Sequence, residues 1–464
     1  MRDLIFVGYL CLILLLAFKR PFIFTLIYAY IDIVAPQRLS YFMLNSIPLS
    51  LIVFALAVLG FLVSDDKKDV RIAPRWVLVL LLLAYCGYTT TIADEPIFAQ
   101  EKWSWVWKAL VFAAFLPLTL RTRLRIEALA LTMVLCASTL IVTGGIKTAA
   151  GGGGYGVLVL LVDNNSGLYE GSIISTVAIA IIPLILWLAK HGTIFKPEWR
   201  VYCYAAALTL AALLIPIGTQ ARTGLVCIGV MAVLLLRFNK YRFVYAAVAA
   251  TIAVMSIPFL PQTFVERMQT IENYEQDESA STRIAVWSWT WEYVKQNPMG
   301  GGFEAYRQNK IKYEIKVIDD NGMATGEIES GAKDIEDEGR AYHSSYFEML
   351  GEQGWPGLII WLSIHVGGVW RMEMIQRMYK KRNREGEEWV APLAIALQNA
   401  QIIFLIGSLF VAVAFQPFVY MLVGLQIGLD TYLARRRKEA AWRPIKQLRN
   451  RQPSSADTAS ASLT

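Results

Sequence analysis

The sequence predicts an all-α polytopic membrane protein, and three observations carry that prediction. Hydrophobic residues make up 56% of the 464, and the mean hydropathy is +0.44. The apolar residues fall in blocks of roughly 15–25, the length of a membrane-crossing helix. The basic residues between those blocks collect in alternate loops, as the positive-inside bias requires. A β-barrel would show short alternating strands instead. The formal charge of +7 is thereby assigned to loops facing the cytoplasm, and nucleic acid is not expected as a partner.

The apolar blocks cover residues 3–18, 21–35, 42–63, 75–93, 104–120, 126–146, 172–190, 201–217, 223–237, 243–260, 355–373, 391–413 and 416–434. The first two are short and can form a hairpin of half-helices, so the count is 12 or 13 and the orientation of the N-terminus stays open. No small-residue cleavage site follows Lys19-Arg20, so a cleaved signal peptide is not expected. The loops at 121–125, 190–200, 237–242 and 371–384 are basic, as is the tail that opens Arg435-Arg436-Arg437-Lys438. Alternation of the spans puts all of them on one side. The loops at 94–102, 147–171, 218–222 and 415–417 fall on the other side and are poor in basic residues.

Four units follow: an N-terminal helix bundle over 1–260, a large external loop over 261–354, C-terminal membrane helices over 355–434, and a disordered basic cytoplasmic tail over 435–464. The loop is net acidic. Ser281-Thr282-Arg283 can start a helix that runs through Trp287, Trp289, Trp291 and Tyr293 and ends at Pro298 and Gly300-Gly301-Gly302. The stretch 317–340 is rich in glycine and acids and reads as flexible. Cys11, Cys86, Cys136, Cys203 and Cys227 all lie inside apolar blocks with no CxxC pair, and read as small core residues.

Two motifs carry chemistry. Arg222 sits in Gly218-Thr219-Gln220-Ala221-Arg222-Thr223-Gly224, a break between two apolar blocks. His343 sits in Tyr342-His343-Ser344-Ser345-Tyr346, where the long loop re-enters the membrane. The topology puts both on one face. A guanidinium stays charged and grips phosphate oxygens through paired donors. An imidazole titrates near neutrality and can take a proton from a hydroxyl. Together at the mouth of a helical bundle they suggest a site for a phosphate-bearing lipid. His191, in a basic loop, and His365, within a span, read as structural.

Further candidates are weaker. Lys108 lies inside the 104–120 block, where a charge is costly and functional by default, though it can also snorkel. Arg340 precedes His343 closely. Glu348 and Glu352 lie near the outer end of the re-entering helix and can orient the imidazole or bond sugar hydroxyls. The Trp/Tyr run is better suited to anchoring at headgroup depth than to sugar stacking. Asp334 to Glu338 reads as a solvated acidic run rather than a metal site. Gly151 to Gly154 lacks the Lys-Ser or Lys-Thr of a phosphate loop, and Asp163-Asn164-Asn165 beyond it is a weak candidate for lining the site. No metal ligand set and no cofactor are expected.

The order of three short motifs resembles the O-antigen ligase and polymerase-like family of bacterial inner-membrane glycosyltransferases. These are Gln220 to Gly224, then Ser281-Thr282-Arg283 with Trp287 and Asn297 to Phe303, then His343 to Glu348 with Glu352 to Gly357. Lys19-Arg20-Pro21-Phe22 with Ala35-Pro36-Gln37-Arg38-Leu39 is similar to the branch of exosortase-associated O-glycosylation ligases. The resemblance covers about residues 20–435 and implies a fold like that of the membrane-embedded GT-C glycosyltransferases. It also implies transfer of a glycan from a polyprenyl-pyrophosphate carrier to a hydroxyl acceptor at the periplasmic face, without metal. By the same resemblance Arg222 and Arg283 would hold the pyrophosphate and His343 would serve catalysis; Lys108 is a further candidate for a phosphate contact. The loop 148–171 departs from the pattern, since it offers no basic residue for a further phosphate contact. A polysaccharide polymerase using the same donor is an alternative. A lipid-linked glycan flippase is another, which the absence of repeated halves disfavours.

Overall fold

The computed structural model describes residues 2–40, 44, 47–65, 71–151, 168, 170–237, 240–256, 258, 264–265, 268, 278–316, 332–382 and 385–441. The N-terminal bundle contains α1 (Arg2–Lys19), α2 (Phe22–Val34), the single turn α3 (Pro36–Leu39), α4 (Leu49–Ser64), α5 (Pro74–Thr91), α6 (Pro96–Thr119), α7 (Arg123–Gly151), α8 (Gly171–His191), α9 (Trp199–Gly218), α10 (Arg222–Leu236) and α11 (Arg242–Ser256). The long loop contributes α12 (Glu278–Gln296) and an antiparallel hairpin of β1 (Lys310–Lys316) and β2 (Ala332–Glu338), in which Lys310 faces Glu338. The chain closes with α13 (Ser345–Arg382), α14 (Val390–Gly407) and α15 (Pro417–Ala441). Every predicted apolar block coincides with a helix. Among the described residues, α7, α8, α9, α13, α14 and α15 are each long and apolar enough to cross a membrane, and α2, α4 and α10 are shorter apolar helices. The protein is an all-α, multi-pass membrane protein.

Local chemistry sets many of the ends. Pro74 and Pro96 open α5 and α6, where proline lacks only an N–H that would be unpaired anyway. The Glu170 carboxylate caps α8 by accepting from Ile173 N at 2.7 Å. The centre of the bundle is α8, α14 and α15, whose side chains are mostly buried on all sides, as expected of helices hydrophobic all round.

Several boundaries differ from the sequence reading. The helix expected at 355 begins at Ser345 and passes a break at Gly354 (φ +61°, ψ −166°). The block at 391–413 stops being helical at Gly407, and residues 408–416 form an irregular turn. The tail expected to start at 435 is helical to Ala441, with Arg435 buried and donating to Leu120 O at 3.1 Å. A guanidinium that meets an orphan helix-end carbonyl has reason to stay ordered. Part of the stretch expected to be flexible is strand β2. Cys11 and Cys203 face outward, unlike the buried Cys86, Cys136 and Cys227. Residues 152–167, with the rest of the glycine run and Asp163 to Asn165, lie outside the described residues, as do 317–331 and 442–464.

The two ends of the bundle differ chemically. At one end Arg125 grips Asp65 with two bonds of 2.6 Å, Arg123 donates to His191 O at 3.0 Å, and Arg237 meets Glu373 at 3.2 Å. These are the loops that the sequence reading placed together. The other end carries α12, the hairpin, the start of α10 and the start of α13.

Candidate active site

Two helix starts bring the sequence motifs into place. At the first, α9 ends at Gly218, where glycine is needed for close packing on Thr148: a Cβ would sit 2.0 Å from its Oγ1. Gln220 then takes a left-handed backbone (φ +52°), and Arg222 becomes the first residue of α10. Gly224 lets α10 press on Pro216 and Ser175. A cation at a helix N-terminus opposes the helix dipole. The helix dipole and the guanidinium therefore both favour an anion at this point.

At the second, His343 precedes α13 with φ +49°. A non-glycine residue rarely adopts this conformation, and it costs of order 1–3 kcal/mol when the surroundings impose it. Both flanks impose it here. On one side Trp287 Nε1 donates to Tyr342 O at 2.9 Å, and Trp287 stacks flat on Phe347 at 4.9 Å. On the other side Ser345 N donates to Ser408 O at 2.8 Å. Ser345 Oγ donates to Val411 O and accepts from Val413 N, each at 2.9 Å.

Arg283 lies one turn before Trp287 on α12, and Arg340 lies three residues before His343. The Arg340 backbone is clamped by the buried Asn309, which accepts from Arg340 N at 3.0 Å and donates to Arg340 O at 2.7 Å. The Arg340 guanidinium pairs with Asp337. The imidazole keeps an exposed edge. Burial of the rest, then the charges of Arg283 and Arg340, hold it below its ordinary value of 6.5. The ring therefore stays uncharged to lower pH than a free histidine.

Arg222 belongs to the same end of the bundle. Cys227 packs on α14 at Ile403 O (3.8 Å), and a Cβ on Gly407 would meet its Sγ. Arg222 lies about a turn and a half beyond Cys227, on the side of Ser408, to which Ser345 is bonded. The structure thus brings Arg222, Arg283, Arg340 and His343 to one end.

It does not bring Lys108 there. Lys108 faces α2 and α4 beside Tyr28, Ser50 and Phe54, and its charge acts on Asp32 of α2. Lys102, six residues earlier, is the lysine that reaches α13. Its Nζ lies 2.7 Å from Glu348 Oε1 and 2.8 and 2.9 Å from the two oxygens of Glu352, with Glu304 at 3.9 Å. The remaining contacts are also internal: Glu348 Oε2 accepts from Ala414 N at 2.9 Å, and Glu352 Oε1 from Glu304 N at 3.0 Å. The expectation that these acids orient the imidazole or meet sugar hydroxyls is therefore corrected. Their oxygens are committed to a buried ion cluster. Lys102 escaped the sequence reading because it was counted in the loop 94–102, whereas α6 begins at Pro96. The available signal was the pair Glu348 and Glu352, one turn apart on a helix entering the membrane, which demands a counter-charge.

The aromatic run divides. Trp287 holds Tyr342, Trp289 stacks on Tyr293 at 4.8 Å, and Trp291 meets Trp355 edge-on at 5.6 Å. Tyr293 also hydrogen-bonds Asp94. The glycine motifs, read separately from the sequence, form one latch. Gly301 N donates to Gly351 O at 3.0 Å, Gly302 N to Glu352 O at 2.9 Å, and Trp355 N to Pro298 O at 3.0 Å.

Fold and site define a polytopic helical membrane protein with cationic groups and a largely neutral imidazole gathered at one end. Residues 205–362 match the family model described as O-Antigen ligase, a segment that contains Arg222, Arg283, Arg340, His343, Glu348 and Glu352. That match supports a membrane glycan ligase or polymerase type of function. Residues 1–193 match a family of unknown function, DUF5935. No curated protein matches the chain.

Proposed function

We propose that the protein is a glycan ligase of the bacterial inner membrane. It moves a glycan from a polyprenyl-pyrophosphate carrier to a hydroxyl acceptor at the periplasmic face. The observation that carries the reading is the placement of His343 beside Arg283 and Arg340, at the same end as Arg222, all inside the segment that matches the O-antigen ligase family. In this reading Arg222 and Arg283 hold the pyrophosphate. The acceptor oxygen attacks the anomeric carbon from the face opposite the carrier, and its proton passes to a ring nitrogen of His343. The bond from the anomeric carbon to the pyrophosphate oxygen breaks. The electron pair stays on the pyrophosphate, where fixed guanidiniums stabilise the growing charge. Pyrophosphate is already a weak base, so the departing oxygen needs no acid. A single displacement inverts the anomeric centre, and no metal is assigned a role. The large loop over 261–354 and the membrane helices on either side act as one catalytic unit.

The test is reconstitution in liposomes with a lipid-linked oligosaccharide and candidate acceptors, in the presence of a chelator. Glycan on the acceptor, with carrier pyrophosphate released in equal amount, is the expected result. Transport of the intact donor without transfer would overturn the reading in favour of a flippase.

The pH dependence follows with a definite sign. The base must be uncharged, and two cations disfavour its charged form. The acid limb of kcat/KM should therefore lie below 6.5. Arg340→Gln removes one of those cations and should move the limb upward, toward 6.5. An unmoved limb in that variant would separate His343 from the rate-controlling proton.

A further inference from the structure

Lys102 is partly buried, with 11% of its side chain exposed, and faces three carboxylates of which Glu352 is wholly enclosed. The cluster joins three separate pieces of chain. Glu348 and Glu352 sit on the first two turns of α13. Glu304 follows the glycine run, in a left-handed conformation (φ +64°). Through Ala414 N, Glu348 also holds the irregular turn after α14, the same turn whose Ser408, Val411 and Val413 grip Ser345. His343 stands two residues before Ser345, in a conformation its backbone would not choose alone. The chain passes from His343 directly into α13, and among the described residues the first ionic contact of α13 is with Lys102.

We propose that Lys102 is a positioning residue for transfer: its ammonium, seated between Glu348 and Glu352, fixes the start of α13 and with it the place of the His343 imidazole. The inference rests on the ligase reading and adds to it a residue outside the segment that matches the O-antigen ligase family. Lys102 does not meet the reacting atoms; it acts through α13. Arg222 stands on α10 and Arg283 on α12, and no residue of the cluster lies on either helix, so donor binding should be little affected by Lys102.

The test compares wild type, Lys102→Met and the charge-balanced triple variant Lys102→Met/Glu348→Gln/Glu352→Gln in proteoliposomes, per folded protein. Lys102→Met is expected to lower kcat by about 100-fold, the scale of a misplacement near 1 Å, with the KM for the donor little changed. The acid limb should shift toward 6.5 as the imidazole moves away from Arg283 and Arg340. Hydrogen exchange over 342–352 should rise. The triple variant leaves no buried carboxylate uncompensated, so it keeps the test open if the single variant does not fold, and it should show the same loss of kcat. Recovery of wild-type kcat in the triple variant would overturn the proposal, since Lys102 would then serve only to balance charge. An unmoved limb with unchanged kcat per folded Lys102→Met protein would do the same. If wild type and His343→Ala transfer equally well, the ligase mechanism itself fails, and the positioning role falls with it.

Discussion

Arg222→Lys is expected to lower transfer by about 100- to 1,000-fold, the loss seen when one aimed donor to a developing negative charge is removed. The charge is kept in this variant, so the effect isolates geometry. A guanidinium presents a planar fork that meets two phosphate oxygens at once, whereas an ammonium is a point charge on a flexible stem. Arg222 is also the first residue of α10, where the helix dipole favours the same negative charge that the guanidinium would grip. His343→Ala should cost about 100- to 10,000-fold, the usual contribution of general-base catalysis. The two variants differ in a second measurement. His343→Ala should leave the KM for the donor nearly unchanged, and Arg222→Lys should raise it. Purified Arg222→Lys protein with full transfer activity would remove the pyrophosphate role from this residue. The His343 backbone is held by the bonds of Tyr342 and Ser345 rather than by the imidazole, so His343→Ala should not alter the amount of folded protein.

Gly354→Ala should have the largest effect on stability. At φ +61° and ψ −166° the backbone lies in a region that only glycine occupies readily. A methyl group there would also lie 2.3 Å from both Met299 C and Pro298 O. Those are backbone atoms, and they cannot swing away as a side-chain tip would. Backbone strain and overpacking together should cost about 3 kcal/mol or more. The latch between residues 298–302 and 351–355 should open and the yield of folded protein should drop sharply. Gly300→Ala meets the same wall from the other side, with φ +78° and Gly354 N at 2.5 Å, and should behave alike. Gly8→Ala and Gly229→Ala meet no atom within 4 Å and serve as controls. Thermal unfolding in detergent, followed by size-exclusion chromatography, reads all four. A Gly354→Ala protein with unchanged thermal stability would show that the latch does not hold the loop to α13.

Hydropathy placed a helix in each of thirteen blocks, because a segment that crosses a bilayer must satisfy every backbone polar group within itself. It was weakest at the ends. The start of α13 carries the buried Glu348, Glu352 and Gln353, and composition cannot distinguish such a polar stretch from a solvated loop. Residues 408–416 are mostly apolar, so hydropathy reads a helix on to 413 where the backbone is irregular. Arg222 was legible because it sits in a short polar break between two apolar blocks, and His343 because it lies where the long polar loop re-enters the membrane. Lys108 misled for a related reason. A charge inside an apolar block signals a partner, but the identity of that partner depends on which face of α6 meets which helix. Asp32, Glu348 and Glu352 are all acids that a lysine on α6 can satisfy, and only helix packing sends Lys108 to the first and Lys102 to the others. The two glycine-bearing motifs, 297–303 and 352–357, were visible one by one. Their mutual contact involves backbone bonds between residues some fifty positions apart, and no local pattern encodes such a pairing.

The amino-acid sequence alone determined the class of fold, the sorting of basic loops to one end, and the two motifs bearing the guanidinium and the imidazole. These follow from local rules of hydropathy and charge that act segment by segment. The tertiary structure alone decided that Glu348 and Glu352 are sealed by Lys102, that Arg283 and Arg340 press their charge on His343, and that glycines 300–302 close on glycines 351 and 354. Each of these is a contact between distant segments at a spacing of a few ångströms, and the direction of a side chain across such a gap is set by packing.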